Sequence, residues 1–130
     1  MNQLDIIFAS TSTPGQYARA YANHLSELLQ NLDHDAVSKM VKLFLDAREQ
    51  GNRIFFIGNG GSAATASHFA NDIAIGTRSL DKPFRAISLT DNVAVLSAIA
   101  NDDGYDYIFV QQLQNLMEHG DMVVAISASG

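Results

Sequence analysis

Two segments rich in glycine and serine hold the residues best suited to bind a phosphate group. The first is Gly58-Asn-Gly-Gly-Ser62 and the second is Ser127-Ala-Ser-Gly130, and each follows a run of apolar residues. Glycine lets the backbone approach a ligand closely, serine hydroxyls donate hydrogen bonds to phosphate oxygens, and the start of a helix offers free N–H groups to an anion. The two segments therefore predict a site for a phosphorylated small molecule.

Other interpretations of the first segment stay open at this point. It is also typical of a plain strand-to-helix turn in which Ser62 caps the helix. The spacing Gly58-x-Gly60-x-x-Ala63 fits a loose dinucleotide-binding pattern. That pattern requires an acidic residue about twenty positions further on, at the end of the next strand. Asp81 precedes that strand and Asp91 lies about ten positions too far, so the pattern argues against nicotinamide binding.

His68 and Asp72 form a second candidate group, on the helix predicted after the first glycine segment. Residues four apart share one face of a helix, and a histidine–carboxylate pair can bind a divalent metal or divide acid and base work between its members. A simple surface hydrogen bond is the alternative. Because the pair follows the first glycine segment closely in sequence, a functional role is an equally open interpretation.

Asn101 and Asp102 form the third candidate group. They belong to the sequence Asn101-Asp-Asp-Gly104, whose composition is typical of a solvated turn. In the functional interpretation, their side chains bind the hydroxyl groups of a sugar. The remaining histidines have no partner close in sequence and receive no role.

The elements that must position these groups begin with two helices. We expect residues 1–13 to be an irregular lead-in and residues 14–51 to form two amphipathic helices. Thr13 followed by proline predicts the start of the first helix. Asp33 or Asp35 is expected to cap the second helix, which should end near Gly51.

From residue 52 onward the pattern alternates between strands and helices. Strands are predicted at 54–57, 84–89 and 122–127, and helices at 62–75, 92–100 with Thr90 as a cap, and 105–118. This order predicts the α/β class, with an open parallel sheet flanked by helices. Ligands of such sheets bind beyond the carboxyl ends of the strands, where both glycine/serine segments lie.

Composition limits the kind of partner. The chain has 130 residues, a net charge of −6, no cysteine, and 47% hydrophobic residues. These values predict one globular domain at most. The negative charge argues against nucleic acid or an anionic membrane as a main partner, and no signal peptide or membrane span is expected. The absence of cysteine fits a cytoplasmic protein.

Four segments together resemble the sugar isomerase (SIS) domain and, within it, the phosphoheptose isomerase family. The resemblance covers about residues 15 to 130 and implies a flavodoxin-like three-layer sandwich with a five-stranded parallel sheet. It also implies a homotetramer in which the N-terminal helices pack together. The segments are Gly58-Asn-Gly-Gly-Ser62, His68-Phe-Ala-Asn-Asp72, Ala100-Asn-Asp-Asp-Gly-Tyr-Asp-Tyr-Ile-Phe109 and Gly120-Asp-Met-Val-Val-Ala-Ile-Ser-Ala-Ser-Gly130.

The resemblance also implies roles for individual residues. His68 would be a zinc ligand, and Asp72 would be both a zinc ligand and a catalytic acid/base. The family has Glu where this chain has Asp72, so the carboxylate here is one methylene shorter. Implied contacts with the sugar phosphate are Asn59, Gly60, Gly61, Ser62, Asn101, Asp102, Ser127, Ala128 and Ser129.

Two functions are expected from this resemblance. The first is isomerisation of sedoheptulose 7-phosphate to glycero-manno-heptose 7-phosphate by proton transfer through an enediol. The second is a non-catalytic SIS module that binds a phosphosugar or a protein such as a replication initiator. Three strands make a small sheet, and the second glycine/serine segment should lead into a further helix. We therefore expect either that residues 1–130 are part of a longer domain or that a partner covers the missing surface.

Overall fold

The structure, a computed structural model, describes residues 2–78 and 80–128. It divides into two compact units, the first ending at Lys39 and the second starting at Met40. In the part of the chain that is described, no helix combines the length and the hydrophobicity that crossing a bilayer requires.

The first unit begins with a helix that the sequence analysis did not predict. Helix α1 spans Gln3–Ala9, so the expectation of an irregular lead-in over residues 1–13 is wrong. The side chain of Asn2 accepts from the N–H of Asp5, and the Asp5 carboxylate accepts in turn from the N–H of Asn2. This reciprocal capping box satisfies two N–H groups at the helix start, and Ile7 is buried.

Helices α2 and α3 follow as predicted. Helix α2 spans Pro14–Gln30 and starts at its predicted cap, because the Thr13 hydroxyl accepts from the N–H of Gln16. Helix α3 spans His34–Gln50. Asp33 is its cap, since its carboxylate accepts from the N–H of Ala36 at 2.9 Å.

The second unit contains the rest of α3, three strands and the remaining helices. Gly51 follows α3 with φ +72°, a left-handed conformation that suits the end of a helix. The elements that follow are β1 (Arg53–Gly58), α4 (Gly61–Asn71), a π-helical turn (Asp72–Gly76), β2 (Arg85–Ser88), α5 (Val93–Asp102), a 3₁₀ turn (Tyr105–Tyr107), α6 (Val110–Leu116) and β3 (Met122–Ile126).

Three details of this order differ from the prediction. Asn92, and not Thr90, caps α5 by accepting from the N–H of Val95 at 3.1 Å. The single helix predicted over residues 105–118 is a 3₁₀ turn followed by the shorter α6. The helix predicted over 62–75 changes to π geometry at Asp72, and such turns frequently occur at functional sites.

The three strands form one open parallel sheet in the order β2-β1-β3, which confirms the predicted fold class. The central strand β1 contains the fully buried side chains of Ile54, Phe55 and Phe56. A strand that is covered on both faces by helices is expected to be apolar throughout, which explains the uninterrupted run in the sequence.

Helices α3 and α4 form the core with β1. Phe44 of α3 meets Phe56 of β1 with the ring centroids 6.1 Å apart, and Phe69 of α4 lies 4.9 Å from Phe56. Ala66 and Ala70 of α4 are buried in the same cluster. Small residues at these two positions let α4 lie close to the sheet, which fixes the position of its first turn.

Side chains also join α3 to the segment before β2. Lys82 donates to Glu49 at 2.6 Å, and Arg48 donates to the carbonyl of Lys82 at 2.6 Å. The hydrogen bond from Lys82 and its positive charge hold the pKa of the Glu49 carboxyl below its ordinary value.

At the amino end of the sheet, Asp121 connects β1 with the start of β3. Its nearly buried carboxylate accepts from the N–H of Arg53 at 2.7 Å and from the N–H of Glu118 at 2.9 Å. The Arg53 side chain pairs with Glu118 at 3.0 Å. These bonds fix the relative position of the two strands whose other ends form the candidate site.

Candidate functional site

The loop between β1 and α4 is shaped by glycines that other residues could not replace without strain. A Cβ atom at Gly58 would lie 2.7 Å from the carbonyl oxygen of Ser62, so the first turn of α4 packs directly against this glycine. Gly60 has φ +55° and ψ −122°, in the left-handed region that favours glycine, and it is the N-cap of α4 without a side-chain hydrogen bond. Ser62 therefore does not cap the helix.

The first glycine/serine segment lies beside the described start of the second, Ser127 and Ala128. Gly58 is the register partner of Ile126, so the parallel pairing of β1 and β3 places the residues after each strand at the same edge of the sheet. A cavity of about 760 Å³ lies between them. Its lining includes Gly58, Asn59, Gly61 and Ser62 from the first segment and Ser127 and Ala128 from the second.

This cavity is suited to an anion although it has no cationic lining. None of the described residues that line it is charged, and the protein as a whole is acidic. The first turn of α4 supplies the positive end of the helix dipole, and Ser62 and Ser127 supply hydroxyls. The N–H groups of Ser62 and Ala63 already donate to the carbonyls of Asn59 and Gly60, at 3.0 and 3.1 Å. Among the described residues, this leaves the N–H of Gly61 in that turn for a ligand. Ser129 lies outside the described residues.

Two further lining residues were not identified from the sequence. Thr65 is one turn beyond Ser62 on α4, and its hydroxyl donates to the carbonyl of Gly61 at 3.2 Å. The three-residue spacing from Ser62 was the signal that could have revealed it. Phe109 comes from the corner between the 3₁₀ turn and α6, and nothing local in the sequence indicates its proximity.

A second cavity, of about 310 Å³, lies next to the same loop. Gly58, Asn59 and Gly60 line it on one side, and mostly apolar residues of α5 and the following corner line it on the other. Gly58, Asn59 and Phe109 line both cavities. The hydroxyl of Tyr105 donates to Oδ1 of Asn59 at 2.9 Å across this region.

A cluster of hydroxyls joins α4 to the end of β2. The Thr90 hydroxyl lies 2.9 Å from the Ser67 hydroxyl, 2.6 Å from that of Ser88 and 3.3 Å from the carbonyl of Ala63. The Ser67 hydroxyl also donates to the Asp91 carboxylate. Because Ala63 belongs to the first turn of α4, the cluster fixes the helix end that faces the first cavity.

His68 and Asp72 form the predicted pair. Nε2 of His68 lies 3.3 Å from Oδ2 of Asp72, and both side chains are more than half exposed. Neither residue lines one of the two cavities. With a rise of about 1.5 Å per residue, Asp72 lies roughly 16 Å along the helix axis from Gly61, so the described residues do not bring it to the anion-binding end.

The pair does not make a zinc site by itself. Catalytic zinc has three protein ligands, and the described residues contain no group of three or more histidine, aspartate or glutamate side chains that could hold a metal ion. Two ligands on an exposed helix face are too few, and we assign no chemical step to a metal.

Asn101 and Asp102 are in the last turn of α5 instead of in a turn after it. Nδ2 of Asn101 donates to the Asp102 carboxylate at 2.7 Å, and both residues are exposed. They do not line either cavity, although Ala100 and Tyr105 on each side of them line the second one. The structure thus places them near the candidate site without bringing them to the first cavity.

Comparison with known proteins agrees with this arrangement. The SIS domain family profile matches residues 16–130. The chain is 42% identical over 89 residues to a phosphoheptose isomerase of Campylobacter concisus, an alignment that covers 68% of this chain and 47% of that protein. It is 37% identical over 113 residues to a probable phosphoheptose isomerase of Thermoplasma acidophilum, covering 87% and 62%.

Solved structures give the same result. A phosphoheptose isomerase from Neisseria gonorrhoeae superposes with a TM-score of 0.68 at 32% identity, covering 85% of this chain and 60% of that one. A phosphoheptose isomerase from Francisella tularensis superposes with a TM-score of 0.75 at 26% identity, covering 98% and 62%. The chain thus spans about half to three fifths of the length of these relatives. Since the family profile matches most of the chain, the protein belongs to the SIS domain family.

Proposed function

We propose that the protein binds a phosphorylated sugar and isomerises sedoheptulose 7-phosphate to glycero-manno-heptose 7-phosphate. The observation that supports this most directly is the cavity between the Gly58–Ser62 loop and Ser127, at the carboxyl ends of two paired strands. Backbone N–H groups and hydroxyls there can hold the phosphate. The relatives of matching sequence are named as phosphoheptose isomerases.

The proposed reaction moves two protons. A base removes a proton from C1 of the ketose, the C–H electron pair forms the C1=C2 double bond, and the C2 carbonyl oxygen takes up a proton to give the enediol. Transfer of the C1 hydroxyl proton and protonation of C2 then produce the aldose. Asp72 is proposed as one acid/base group, oriented by His68 at 3.3 Å.

Asn101 and Asp102 are proposed to bind sugar hydroxyls, and Ser129 is proposed to share the phosphate with Ser127. The mutual hydrogen bond of Asn101 and Asp102 has to open, or extend to the sugar, when a ligand binds. Zinc is not assigned a role in this proposal, because His68 and Asp72 alone do not complete its coordination.

We further propose that the protein is a homo-oligomer, with a tetramer as the expected form. The N-terminal unit supports this, because several large apolar residues of α2 are exposed although helices normally bury such a face. Those residues are Tyr21, Leu25, Leu28 and Leu29.

The isomerase proposal is tested by incubating the protein with sedoheptulose 7-phosphate and following the aldose product by NMR. We expect turnover, and we expect Asp72→Asn to lower kcat by roughly 100-fold or more, as the loss of a general acid/base does. Asp106→Asn is the matched control, since Asp106 is an exposed carboxylate that lines neither cavity. Absence of conversion in the presence and absence of added zinc would rule out the enzyme.

A specific observation favours one alternative, a SIS module that binds a phosphosugar without converting it. Asp72 lines neither cavity and is shorter than the family's glutamate. This alternative predicts that sedoheptulose 7-phosphate binds in calorimetry but is not turned over, and that Asp72→Asn leaves the affinity unchanged.

A further inference from the structure

We propose that Tyr105 is a positioning residue that orients the side-chain amide of Asn59 so that this amide donates a hydrogen bond to the bound anion. The inference rests on the proposed phosphosugar function and deepens it, because it names a residue that adapts the site to a negatively charged ligand. None of the motifs in the sequence assigns a role to Tyr105.

The contact itself is well defined. The Tyr105 hydroxyl lies 2.9 Å from Oδ1 of Asn59. A phenol donates one proton, and an amide oxygen only accepts. With its oxygen taken by Tyr105, the amide of Asn59 has its two N–H donors left for another partner. Within the described chain, those N–H donors make no hydrogen bond.

Charge decides which orientation of the amide is useful. Asn59 lines the first cavity, where the proposed ligand carries a phosphate. An amide turned the other way would leave its oxygen free, and a phosphate repels that atom, whereas the orientation bound by Tyr105 leaves the N–H donors free. Tyr105 therefore binds the amide oxygen of Asn59, which is the atom that must be kept away from the anion.

Tyr105 is itself held in place by its neighbours. Gly104, with φ +110°, turns the chain from α5 into the 3₁₀ turn that begins at Tyr105. Ile108 follows and is buried, and the buried Gln112 donates to the carbonyl of Ile108 at 2.7 Å and to that of Leu89 at 3.1 Å. The corner that carries Tyr105 is thus tied to the end of β2, which limits how far the hydroxyl can move.

The alternative is an ordinary surface hydrogen bond, because Tyr105 is 60% exposed. Such a bond would stabilise the loop slightly without affecting the ligand. A double-mutant cycle separates the two, since only a residue that acts through Asn59 loses its effect when Asn59 is truncated.

The binding test uses calorimetry with sedoheptulose 7-phosphate and the variants Tyr105→Phe, Asn59→Ala and the double variant. We expect Tyr105→Phe to weaken binding about 3- to 10-fold, the usual net effect of one hydrogen bond, and to have no further effect on the Asn59→Ala protein. The control is Tyr107→Phe, in the same 3₁₀ turn and 51% exposed, which should bind like the unmodified protein. Additive effects of Tyr105→Phe and Asn59→Ala, or unchanged binding in Tyr105→Phe, would overturn the inference.

A second measurement works without ligand. In an NMR spectrum of the ¹⁵N-labelled protein, the side-chain amide signals of Asn59 are identified by their loss in Asn59→Ala. We expect them to shift in Tyr105→Phe and to stay in place in Tyr107→Phe. Unshifted signals in Tyr105→Phe would show that the hydroxyl does not orient the amide, and would refute the inference whatever binds.

Failure of the proposed function would give a different experimental result. If the unmodified protein does not bind sedoheptulose 7-phosphate, the proposed substrate is wrong, and the same cycle is measured with inorganic phosphate. Coupling between Tyr105 and Asn59 in phosphate binding then supports the positioning role by itself. If neither compound binds, no anion is oriented, and both the function and the inference fail.

Discussion

At the scale of single residues, the candidate site depends on backbone conformations that only glycine adopts easily. The first turn of α4 leaves no room for a Cβ atom at Gly58, and Gly60 has a positive φ. Together the two glycines let the chain reverse within a few residues, so that Gly61 and Ser62 at the start of α4 line the cavity. The identity of these two residues is thus a steric requirement of the loop.

Gly58→Ala tests this requirement. The added Cβ would meet the backbone of Ser62 at 2.7 Å, so α4 has to shift, and we expect a loss of about 2 kcal/mol or more in the free energy of unfolding, in the range typical of overpacking. Phosphosugar affinity should fall with it. Urea denaturation measures the first effect and calorimetry the second.

Gly61→Ala is the matched control for stability. A Cβ at Gly61 meets nothing within 4 Å, and its φ is not positive. Alanine is also favoured over glycine in a helix by up to about 1 kcal/mol. The stability of this variant should be unchanged or higher, and a loss as large as that of Gly58→Ala would contradict the steric explanation.

At the scale of elements, the position of α4 is the central feature. Buried alanines hold its middle against the sheet, and the hydroxyl cluster around Thr90 holds its first turn against the end of β2. These contacts act on the same helix end that is proposed to bind phosphate.

Thr90→Val removes the hydroxyl at the centre of that cluster while keeping the shape of the side chain. The Ser67 and Ser88 hydroxyls each lose a partner in a partly buried place, so we expect the free energy of unfolding to fall by about 1–3 kcal/mol. Thermal or urea unfolding measures this change.

Thr77→Val is the control. Among the described residues, the exposed Thr77 hydroxyl bonds with the carbonyl of Ile73, four residues earlier in the chain, and with no other group. Its stability should change by no more than about 0.5 kcal/mol. If both variants lose the same free energy of unfolding, the hydroxyl cluster does not stabilise the packing of α4 against the end of β2.

The strands and the adjacency of the Gly58–Ser62 loop to Ser127 were predictable from the sequence. The apolar runs at residues 54–57 and 122–127 have the composition of doubly covered strands, and parallel pairing then places both following loops at one edge. Helix α1 was not predicted, because its short apolar segment does not by itself indicate a helix. The signal was the reciprocal capping pair of Asn2 and Asp5.

Contacts between distant parts of the chain were the features that the sequence did not reveal. Tyr105 and Asn59 are 46 positions apart, and no local pattern brings them together. Thr90 was expected to cap α5, but the adjacent Asn92 fills that role, which leaves the Thr90 hydroxyl free to bond with α4. Both outcomes depend on how α4, β2 and the 3₁₀ turn pack.

At the scale of the whole molecule, the two units differ in how well they bury their apolar residues. The second unit encloses Ile54, Phe55 and Phe56 completely. In the first unit, Ile7 is buried, and Leu25, Leu28 and Leu29 of α2 remain 44%, 53% and 57% exposed. This contrast is the basis for proposing self-association through α2.

Replacing Leu25 and Leu28 by glutamine tests that proposal. The two residues are three positions apart on one face of α2. Because both are exposed, we expect polar replacements to destabilise the contact between subunits more than the fold of a single chain. We expect the mass measured by light scattering to fall from that of an oligomer toward that of a monomer, with the helical signal in circular dichroism retained.

Glu27→Gln provides the comparison, because it changes an exposed residue of the same helix without removing apolar surface. Its mass should equal that of the unmodified protein. If the Leu25/Leu28 double variant also keeps that mass, α2 is not part of the contact between subunits.

The pairing of β1 with both of its neighbours has a consequence for how the protein folds. Strands β1 and β2 are separated by α4 and the π-helical turn, whereas β1 and β3 pair across a much longer stretch of chain. Contacts that close longer loops form more slowly, so β1, α4 and β2 are expected to assemble before β3 docks. An intermediate of this kind would contain the phosphate-facing helix end but not Ser127. Acquisition of phosphosugar binding during refolding should therefore coincide with the last step, and not with the appearance of helical structure.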